Sequence, residues 1–306
     1  MLPVLSLKST SCAVSQMSEN TAIVERKRPR VLVVANQKGG VGKTTTAINL
    51  ATALAACDKR VLVIDIDPQA NATTGLGIAK DGIERSSYDV LVDEAPIEGA
   101  ILPTQVPHLW LVPGAADLAG AELELAAAFG REHRLGHALA EIVGRFDYVL
   151  IDCPPSLNLL TVNALAAAQG VLVPLQCEYY ALEGLSQLMK TIDLVRKNLN
   201  PKLQIEGVVL TMYDKRNNIC DMVAADVRRH FAERVYDTVI PRNVRLSEAP
   251  SHGKPALLYD LRCVGSQAYI QLAGEILRRA QGPDAPPPSM PPQVPPDGSP
   301  AAEPQP

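Results

Sequence analysis

Residues 36–45 read NQKGGVGKTT and follow an apolar run, RVLVVAN at 30–36. A phosphate-binding loop has Gly, four further residues and then Gly-Lys-Ser/Thr. The second half of that pattern matches at 42–44, whereas Gln37 occupies the position of the first glycine. A helical pattern comes directly after the loop, and a strand, a glycine-rich turn and a helix in this order form a cradle for phosphate. We therefore interpret the stretch as a phosphate loop despite the departure at Gln37.

Each residue type in this loop has a role in that chemistry. Glycines let successive backbone N–H groups turn toward phosphate oxygens, Lys43 would reach the β- and γ-phosphates, and the Thr44 hydroxyl would ligate Mg²⁺. The alternative is an ordinary glycine-rich turn between a strand and a helix. The expected nucleotide-binding residues in the loop are Lys38, Gly39, Gly40, Val41, Gly42, Lys43, Thr44 and Thr45.

The additional lysine, Lys38, lies five residues before Lys43. It cannot easily point into the same cradle from the same chain, so it could reach a nucleotide held by a partner subunit. The alternative is a solvated lysine on a loop, a common place for this residue type.

Acidic side chains end two further apolar runs, at the edge where open α/β sheets bind ligands. RVLVIDID ends with Asp65 and Asp67, and FDYVLID ends with Asp152. Asp152 is placed to hold Mg²⁺, directly or through a water, and Asp67 is the candidate for holding the attacking water in line. For each aspartate the alternative is a structural role in capping or turn formation.

Short β-branched runs alternate with longer helical patterns between residues 30 and 281. The predicted strands are 30–36, 60–67, 108–114, 146–152, 170–176, 205–213 and 235–241. The predicted helices are 44–56, 119–129, 133–143, 157–168, 182–199, 220–231 and 265–279. This order predicts an α/β fold with one doubly wound, mostly parallel sheet flanked by helices, in a single domain spanning 30–281.

The two ends of the chain differ from this central part in composition. Residues 1–29 are rich in Ser and Thr without a helix or strand period, which predicts a flexible N-terminal arm in which Met1 or Met17 could be the start. Residues 282–306 hold 11 of the 25 prolines and almost no large apolar side chain. We expect a disordered or polyproline-like tail there, because it cannot bury enough surface to offset its ordering entropy.

The composition of the 306 residues excludes several classes of protein. Hydrophobic residues at 47% and charged residues at 20% exclude a wholly disordered chain, and a net charge of −4 argues against a globally basic nucleic-acid coat protein. No apolar run approaches the roughly 20 residues of a membrane span, and the first fifteen residues lack the pattern of a signal peptide. The six cysteines form no Cys-x-x-Cys pair, so we expect a reducing cytoplasm rather than a zinc site or a disulfide framework.

Together these motifs resemble those of the ParA/Soj partition ATPases, in the deviant Walker A group that also contains the septum-positioning ATPase MinD. The resemblance covers about residues 30–281. It rests on KGGVGKTT at 38–45, DIDPQANAT at 65–73, LIDCPPSL at 150–157, CEYYALEGL at 177–185 and IPRNVRLSEAPSHGKP at 240–255.

The resemblance implies an ATPase that uses ATP and Mg²⁺. Lys38 would be the signature lysine that acts across an ATP-sandwiched homodimer, and Lys43 and Thr44 would bind phosphate and Mg²⁺. Asp67 would support hydrolysis and Asp152 would be the Walker B residue, so the expected catalytic residues are Lys38, Lys43 and Asp67.

The resemblance also implies contacts beyond the phosphates. Pro241 and Asn243 would lie near the adenine, and the ATP-bound dimer would bind double-stranded DNA without sequence preference, with Arg216 and Arg245 as phosphate contacts. A ParB-type partner would stimulate hydrolysis. The protein would then be cytoplasmic and nucleoid-associated, and it would segregate chromosome or plasmid origins.

Charge counting gives modest independent support for DNA binding. Residues 215–254 carry eight Lys or Arg and five acidic residues, a net charge of +3, which leaves −7 for the rest of the chain. Such a patch suits contacts to the phosphate backbone. A solvated helix face is the alternative for Arg228, Arg229 and Arg234.

Other functions remain as alternatives. A MinD-like membrane ATPase would need a basic amphipathic C-terminal helix, whereas this sequence ends in prolines. A reductase resembling the nitrogenase iron protein would need cysteine ligands in a matching context, and a repressor would need more than the roughly 30 residues that precede the first strand. An ATPase that positions another cargo stays open.

Overall fold

The computed structural model describes residues 29–142, 144–178 and 181–281. Its strands are β1 Arg30–Val34, β2 Val61–Asp65, β3 Leu102–Pro103, β4 Leu109–Val112, β5 Tyr148–Asp152, β6 Gly170–Gln176 and β7 Gln204–Thr211. The arm expected at 1–29, apart from Pro29, and the tail expected at 282–306 lie outside the described residues, so both stay predictions.

Helices connect the strands and cover both faces of the sheet. They are α1 Lys43–Ala56, α2 Asn71–Gly75, α3 Ser87–Leu91, α4 Ala121–Glu124, α5 Arg134–Glu141, α6 Leu159–Ala167, α7 Ala181–Asn198, α8 Asn218–Phe231, α9 Val244–Glu248, α10 Ala256–Tyr259 and α11 Val264–Gln281. Short 3-10 turns occur at 97–100, 116–119, 125–127, 131–133, 232–234 and 249–252.

The strands form one seven-stranded sheet in the order β3-β4-β2-β5-β1-β6-β7. Every pairing is parallel except that of β3 with β4. This confirms the predicted doubly wound, mostly parallel α/β fold. At the carboxyl edge, Asp152 of β5 lies beside Val34 of β1 on one side and beside Asp65 of β2 on the other. The chain therefore brings the phosphate loop and both acidic strand ends to one edge.

The core lies on both sides of the sheet because the central strands are apolar on both faces. Val31 and Val33 pack into one apolar layer, whereas Leu32 and Val34 pack into the layer that contains α1 and α11. All four of these side chains are buried. The ladders of β1 with β5 and β6 hold this strand in register, so the phosphate loop that follows β1 lies at the carboxyl edge of the sheet.

Two predicted elements are wrong. The segment 235–241 forms only two isolated bridges, from Val235 to Val208 of β7 and from Pro241 to Tyr213, two residues after β7. Its backbone bends away because the N–H groups of Asp237 and Thr238 donate to the carboxylate of Glu275, at 2.9 and 3.0 Å, instead of to a strand.

The helix predicted over 119–129 is also broken, into α4 and a 3-10 turn. Within this segment only Ala121 and Leu125 are buried, while the side chains of Leu123 and Phe129 are exposed. Tertiary packing thus supports little more than one turn, since a short helix depends on an apolar face that is buried. The short strand β3, which ends in a proline and pairs only at the sheet edge, was not predicted.

Candidate active site

The phosphate loop joins β1 to α1 at the carboxyl edge of the sheet. Gly40 and Gly42 have φ angles of +75° and +87°, a conformation that favours glycine. A Cβ atom built on Gly39 or Gly40 would meet nothing within 4 Å, so open space adjoins both glycines. No side chain caps the first turn of α1, and no acidic residue lies in it. Its N–H groups are therefore left for an anion, as a phosphate cradle requires.

Two buried side chains fix the loop to neighbouring strands. The Asn36 amide donates to the carbonyl of Pro174 at 2.8 Å, and its side-chain oxygen accepts from the N–H of Lys38 at 3.0 Å. The Thr211 hydroxyl, at the end of β7, donates to the carbonyl of Val41 at 2.8 Å. Sequence reasoning missed both anchors. The only signal for Asn36 was a polar residue at the end of an apolar run.

Lys43 is largely buried at the start of α1, and its ammonium donates to the carbonyl of Lys38 at 3.0 Å. Burial lowers the pKa of Lys43, while the nearby carboxylates of Asp152 and Asp67 oppose that shift. The amine thus lies between the loop and the acidic strand ends. A cation there can contact both phosphate oxygens and the groups that hold a metal ion.

Asp152 is completely buried, and neither of its carboxylate oxygens has a hydrogen-bond partner among the described residues. Burial, followed by the charge of Asp65, raises the pKa of Asp152 well above its ordinary value, and the Thr44 hydroxyl and the Lys43 ammonium oppose the shift. Burying a carboxylate without a hydrogen-bond partner costs free energy unless a cation offsets its charge. Asp152 and Thr44 therefore fit the oxygen ligands that Mg²⁺ takes together with nucleotide phosphates.

The described residues contain no cluster of three or more His, Cys, Asp or Glu side chains that could hold a metal on its own. Mg²⁺ is commonly held by one or two carboxylates together with substrate phosphates and water, rather than by an all-protein cage.

Asp65 and Asp67, which are two residues apart, have different surroundings. Asp65 is fully buried, and hydrogen bonds from Thr73 and from the N–H of Asp67 occupy its oxygens. Asp67 is 7% exposed, and one of its oxygens accepts from the N–H of Gln69 at 2.9 Å. The Asp67 carboxylate is close enough to Lys43 to influence its pKa. Asp67 thus keeps a carboxylate oxygen that can accept a further hydrogen bond at the phosphate loop, whereas both oxygens of Asp65 already accept hydrogen bonds from within the protein.

A cavity of about 290 Å³ adjoins the loop and is lined by Gly42, Thr45, Pro241, Asn243 and other residues. The structure therefore brings the two expected adenine neighbours to the phosphate loop. The Asn243 side-chain oxygen accepts from the N–H of Leu246 at 3.3 Å and caps α9, which leaves its amide group for a ligand.

A larger groove of about 830 Å³ lies between the end of β7 and the start of α11. Its basic lining residues are Lys215, Arg216, Arg242 and Arg262. Arg245 does not line the groove. It pairs instead with Glu248 at 3.0 Å and lies 3.6 Å from Asp260. Three of these four residues lie in the basic stretch 215–254 that the sequence indicated, and the groove adds Arg262.

Comparison with known proteins identifies the family. A family model described as an AAA domain matches residues 29–205. The chromosome partitioning protein ParA of Caulobacter vibrioides is 62% identical over 252 residues, which cover 82% of this chain and 94% of that protein. The sporulation initiation inhibitor protein Soj of Bacillus subtilis is 56% identical over 247 residues, which cover 81% and 98%. This chain belongs to the ParA/Soj family of partition ATPases.

A solved structure supports the fold of this ParA/Soj family member. Cobyrinic acid a,c-diamide synthase from Mycobacterium smegmatis, with bound ATP analog and magnesium, matches with a TM-score of 0.73 at 40% identity, covering 83% of this chain and 96% of that one. Membership of the ParA/Soj family makes the chain an ATPase, as the sequence predicted. No helix in the described ranges is long and apolar enough to cross a membrane.

Among the residues expected in the phosphate loop, Lys38 has a side chain that points away from the loop. Its ammonium pairs with the carboxylate of Glu178, and its side chain is 42% exposed. It therefore points away from the cradle of its own chain, whereas Lys43 points into it. Glu178 was not singled out from the sequence, because no spacing rule connects two residues that are 140 positions apart.

Proposed function

We propose that this ParA/Soj family ATPase binds ATP with Mg²⁺, closes into a homodimer and binds double-stranded DNA without base preference. A ParB-type partner then stimulates hydrolysis, and the cycle segregates or positions chromosome or plasmid origins. The protein is cytoplasmic and nucleoid-associated. The observation that carries the proposal is the unpartnered, fully buried carboxylate of Asp152 beside Lys43 and the open glycine loop.

In this proposal the chain's own residues divide the work. The loop N–H groups and Lys43 bind the phosphates, Thr44 and Asp152 hold Mg²⁺, and Asp67 orients the attacking water. The bound ion would offset negative charge on the phosphates, which is the chemistry that Mg²⁺ supplies in phosphoryl transfer.

The dimer rests on Lys38. Its side chain leaves its own cradle and lies exposed at the rim, where a partner's nucleotide could take the place of Glu178 as its anionic contact. An exposed ion pair contributes about 0–1 kcal/mol, so an exchange of partners costs little.

DNA binding rests on the basic groove and on Arg245. Four basic side chains line the groove, and such cations gain affinity for DNA by releasing counterions, without reading bases. Arg216 is the most accessible of the expected contacts, with 89% of its side chain exposed.

The deciding experiment measures binding to random-sequence duplex DNA with ATP, with ADP and without nucleotide, across a salt series. We expect binding only with ATP and a steep loss with salt. The Asp67→Ala variant should retain ATP and remain trapped on DNA as a dimer.

Binding of ATP without DNA binding in any state would instead favour the alternative, a MinD-like or cargo-positioning ATPase that acts on a membrane or a protein assembly. Liposome binding would then be measured next. Wild-type hydrolysis by Asp67→Ala would refute the role of Asp67.

A further inference from the structure

The carboxylate of Asp65 organises the segment that carries Asp67. One of its oxygens accepts from the N–H and from the hydroxyl of Thr73, at 2.9 and 2.8 Å. The other accepts from the N–H of Asp67 at 3.2 Å. All of these groups are buried, where a hydrogen bond that is lost is not replaced by water. One side chain thus joins the end of β2, the backbone of Asp67 and helix α2.

The Thr73 hydroxyl extends this network to the end of β4. While it donates to Asp65, it accepts from the N–H of Gly114 at 2.9 Å. A Cβ atom on Gly114 would lie 2.9 Å from the carboxyl carbon of Asp65 and 3.1 Å from the carbonyl oxygen of Asp67. The backbone after β4 therefore packs directly against both aspartates, and the Thr73 hydroxyl holds it there.

The Asp67 segment is also fixed on its far side. The carbonyl of Asp67 accepts from the N–H of Ala70 at 2.8 Å, and Ala70 itself has a φ of +51°. This conformation is unfavourable for alanine, so the turn persists only where its surroundings hold it. With bonds on both sides, the Asp67 carboxylate has little freedom to move relative to Lys43.

We infer that Thr73, acting through Asp65, is a positioning residue that fixes the Asp67 carboxylate for hydrolysis and is not needed to bind nucleotide. The inference rests on the proposed role of Asp67. Displacement of a reacting group by about 1 Å can cost on the order of 100-fold in rate, so partial release of this network should be visible in kcat.

The test is Thr73→Val in the full chain, which keeps the branched shape and the backbone N–H but removes the hydroxyl. We expect kcat for ATP hydrolysis to fall about 10-fold, within the range for a misplaced catalytic group. The dissociation constant for ATP should stay within about twofold of wild type, since the residue does not line the loop. Thr73→Ser, which restores the hydroxyl, should recover most of the rate. If the valine variant does not fold, Thr73→Ala removes the same hydroxyl without overpacking.

Ser87→Ala is the matched control. The Ser87 hydroxyl is buried and donates to the backbone carbonyl of Asp65 at 2.6 Å, but it does not contact the carboxylate. Its loss should lower stability at the same strand end and leave kcat unchanged. An equal loss of kcat in Ser87→Ala and Thr73→Val would overturn the inference, because the effect would then follow stability alone.

Asp67→Ala separates the two proposals. If it slows hydrolysis and Thr73→Val does not, the positioning inference fails while the role of Asp67 stands. If Asp67→Ala itself hydrolyses ATP normally, the proposed role of Asp67 fails first.

Discussion

Asp65 and Asp152 lie side by side in register on the neighbouring strands β2 and β5. The carboxylate oxygens of Asp65 accept hydrogen bonds, whereas those of Asp152 have no hydrogen-bond partner among the described residues. Both are fully buried. Hydrogen bonds from the protein can stabilise the charge of a buried carboxylate. A buried carboxylate without such bonds requires a cation or a proton to offset its charge. This difference favours a structural role for Asp65 and the proposed Mg²⁺-binding role for Asp152.

Replacing Asp152 should have opposite effects on stability and activity. In Asp152→Asn without Mg²⁺, the free energy of unfolding at neutral pH should rise, because the substitution removes a carboxyl group whose ionisation burial opposes. ATP hydrolysis should fall by about 100-fold or more, because Mg²⁺ loses its protein carboxylate. Urea denaturation and a Mg²⁺-dependent ATPase assay measure the two effects. A loss of both stability and activity would contradict this assignment.

The two lysines of the loop should fail in different ways. Lys43→Ala should abolish nucleotide binding, since Lys43 lies inside the cradle. Lys38→Ala should still bind ATP as a monomer but should not dimerise, since Lys38 lies outside the cradle, paired with Glu178. Fluorescent-nucleotide titration and light scattering distinguish the two. ATP-dependent dimers of Lys38→Ala would rule out its role across the interface.

Stability without Mg²⁺ should depend on pH through Asp65. Burial raises the pKa of Asp65 to about 6, from 3.8. Between these values the folded state binds more protons than the unfolded state, so the free energy of unfolding falls as pH rises from about 4 to about 6. Each tenfold change in proton affinity between the two states corresponds to about 1.36 kcal/mol, so the fall should be on the order of a few kcal/mol.

Urea titrations at several pH values measure this slope. Asp65→Asn should reduce the slope, and the part that remains comes from Asp152, whose pKa burial also raises. A slope of unchanged size in Asp65→Asn would assign it to another group.

The basic groove predicts a specific change in salt dependence. Arg216→Gln should weaken DNA binding and reduce the slope of log K against log salt by about 2, because a dimer loses two phosphate contacts. Arg145→Gln is the control, because Arg145 precedes β5 at the opposite edge of the sheet. Equal slopes for both variants would place the DNA elsewhere.

Substitution by alanine should have opposite effects on the free energy of unfolding at two glycines. A Cβ atom on Gly207 would lie 2.4 Å from the fully buried ring of Tyr236, so Gly207→Ala should lower the free energy of unfolding by about 1–3 kcal/mol. In α7, a Cβ atom on Gly184 meets nothing within 4 Å, so Gly184→Ala should raise it by about 1 kcal/mol. Thermal and urea unfolding of both variants measure the difference. Destabilisation by Gly184→Ala would contradict the open space beside it.

The sequence predicted the elements whose signal is local. Six of the seven predicted strands exist, because a run of buried β-branched residues favours a strand wherever it lies in a parallel sheet. The segment 235–241 has the same local pattern and still does not form a strand. The N–H of Asp237 donates to the carboxylate of Glu275, 38 residues away, instead of to a neighbouring strand. A competitor that far along the chain leaves no mark in a local pattern.

The candidate site divides in the same way. The sequence by itself determined the family, the phosphate loop and the acidic residues at the strand ends, because glycine spacing and residue type are local properties that phosphate chemistry constrains. Only the tertiary structure decided that Thr73 donates a hydrogen bond to Asp65, that the Asp152 carboxylate has no hydrogen-bond partner among the described residues and that Lys38 forms an ion pair with Glu178. These roles depend on which groups the parallel crossovers bring together at one edge, and hydrogen bonding between residues far apart in the chain cannot be read from spacing.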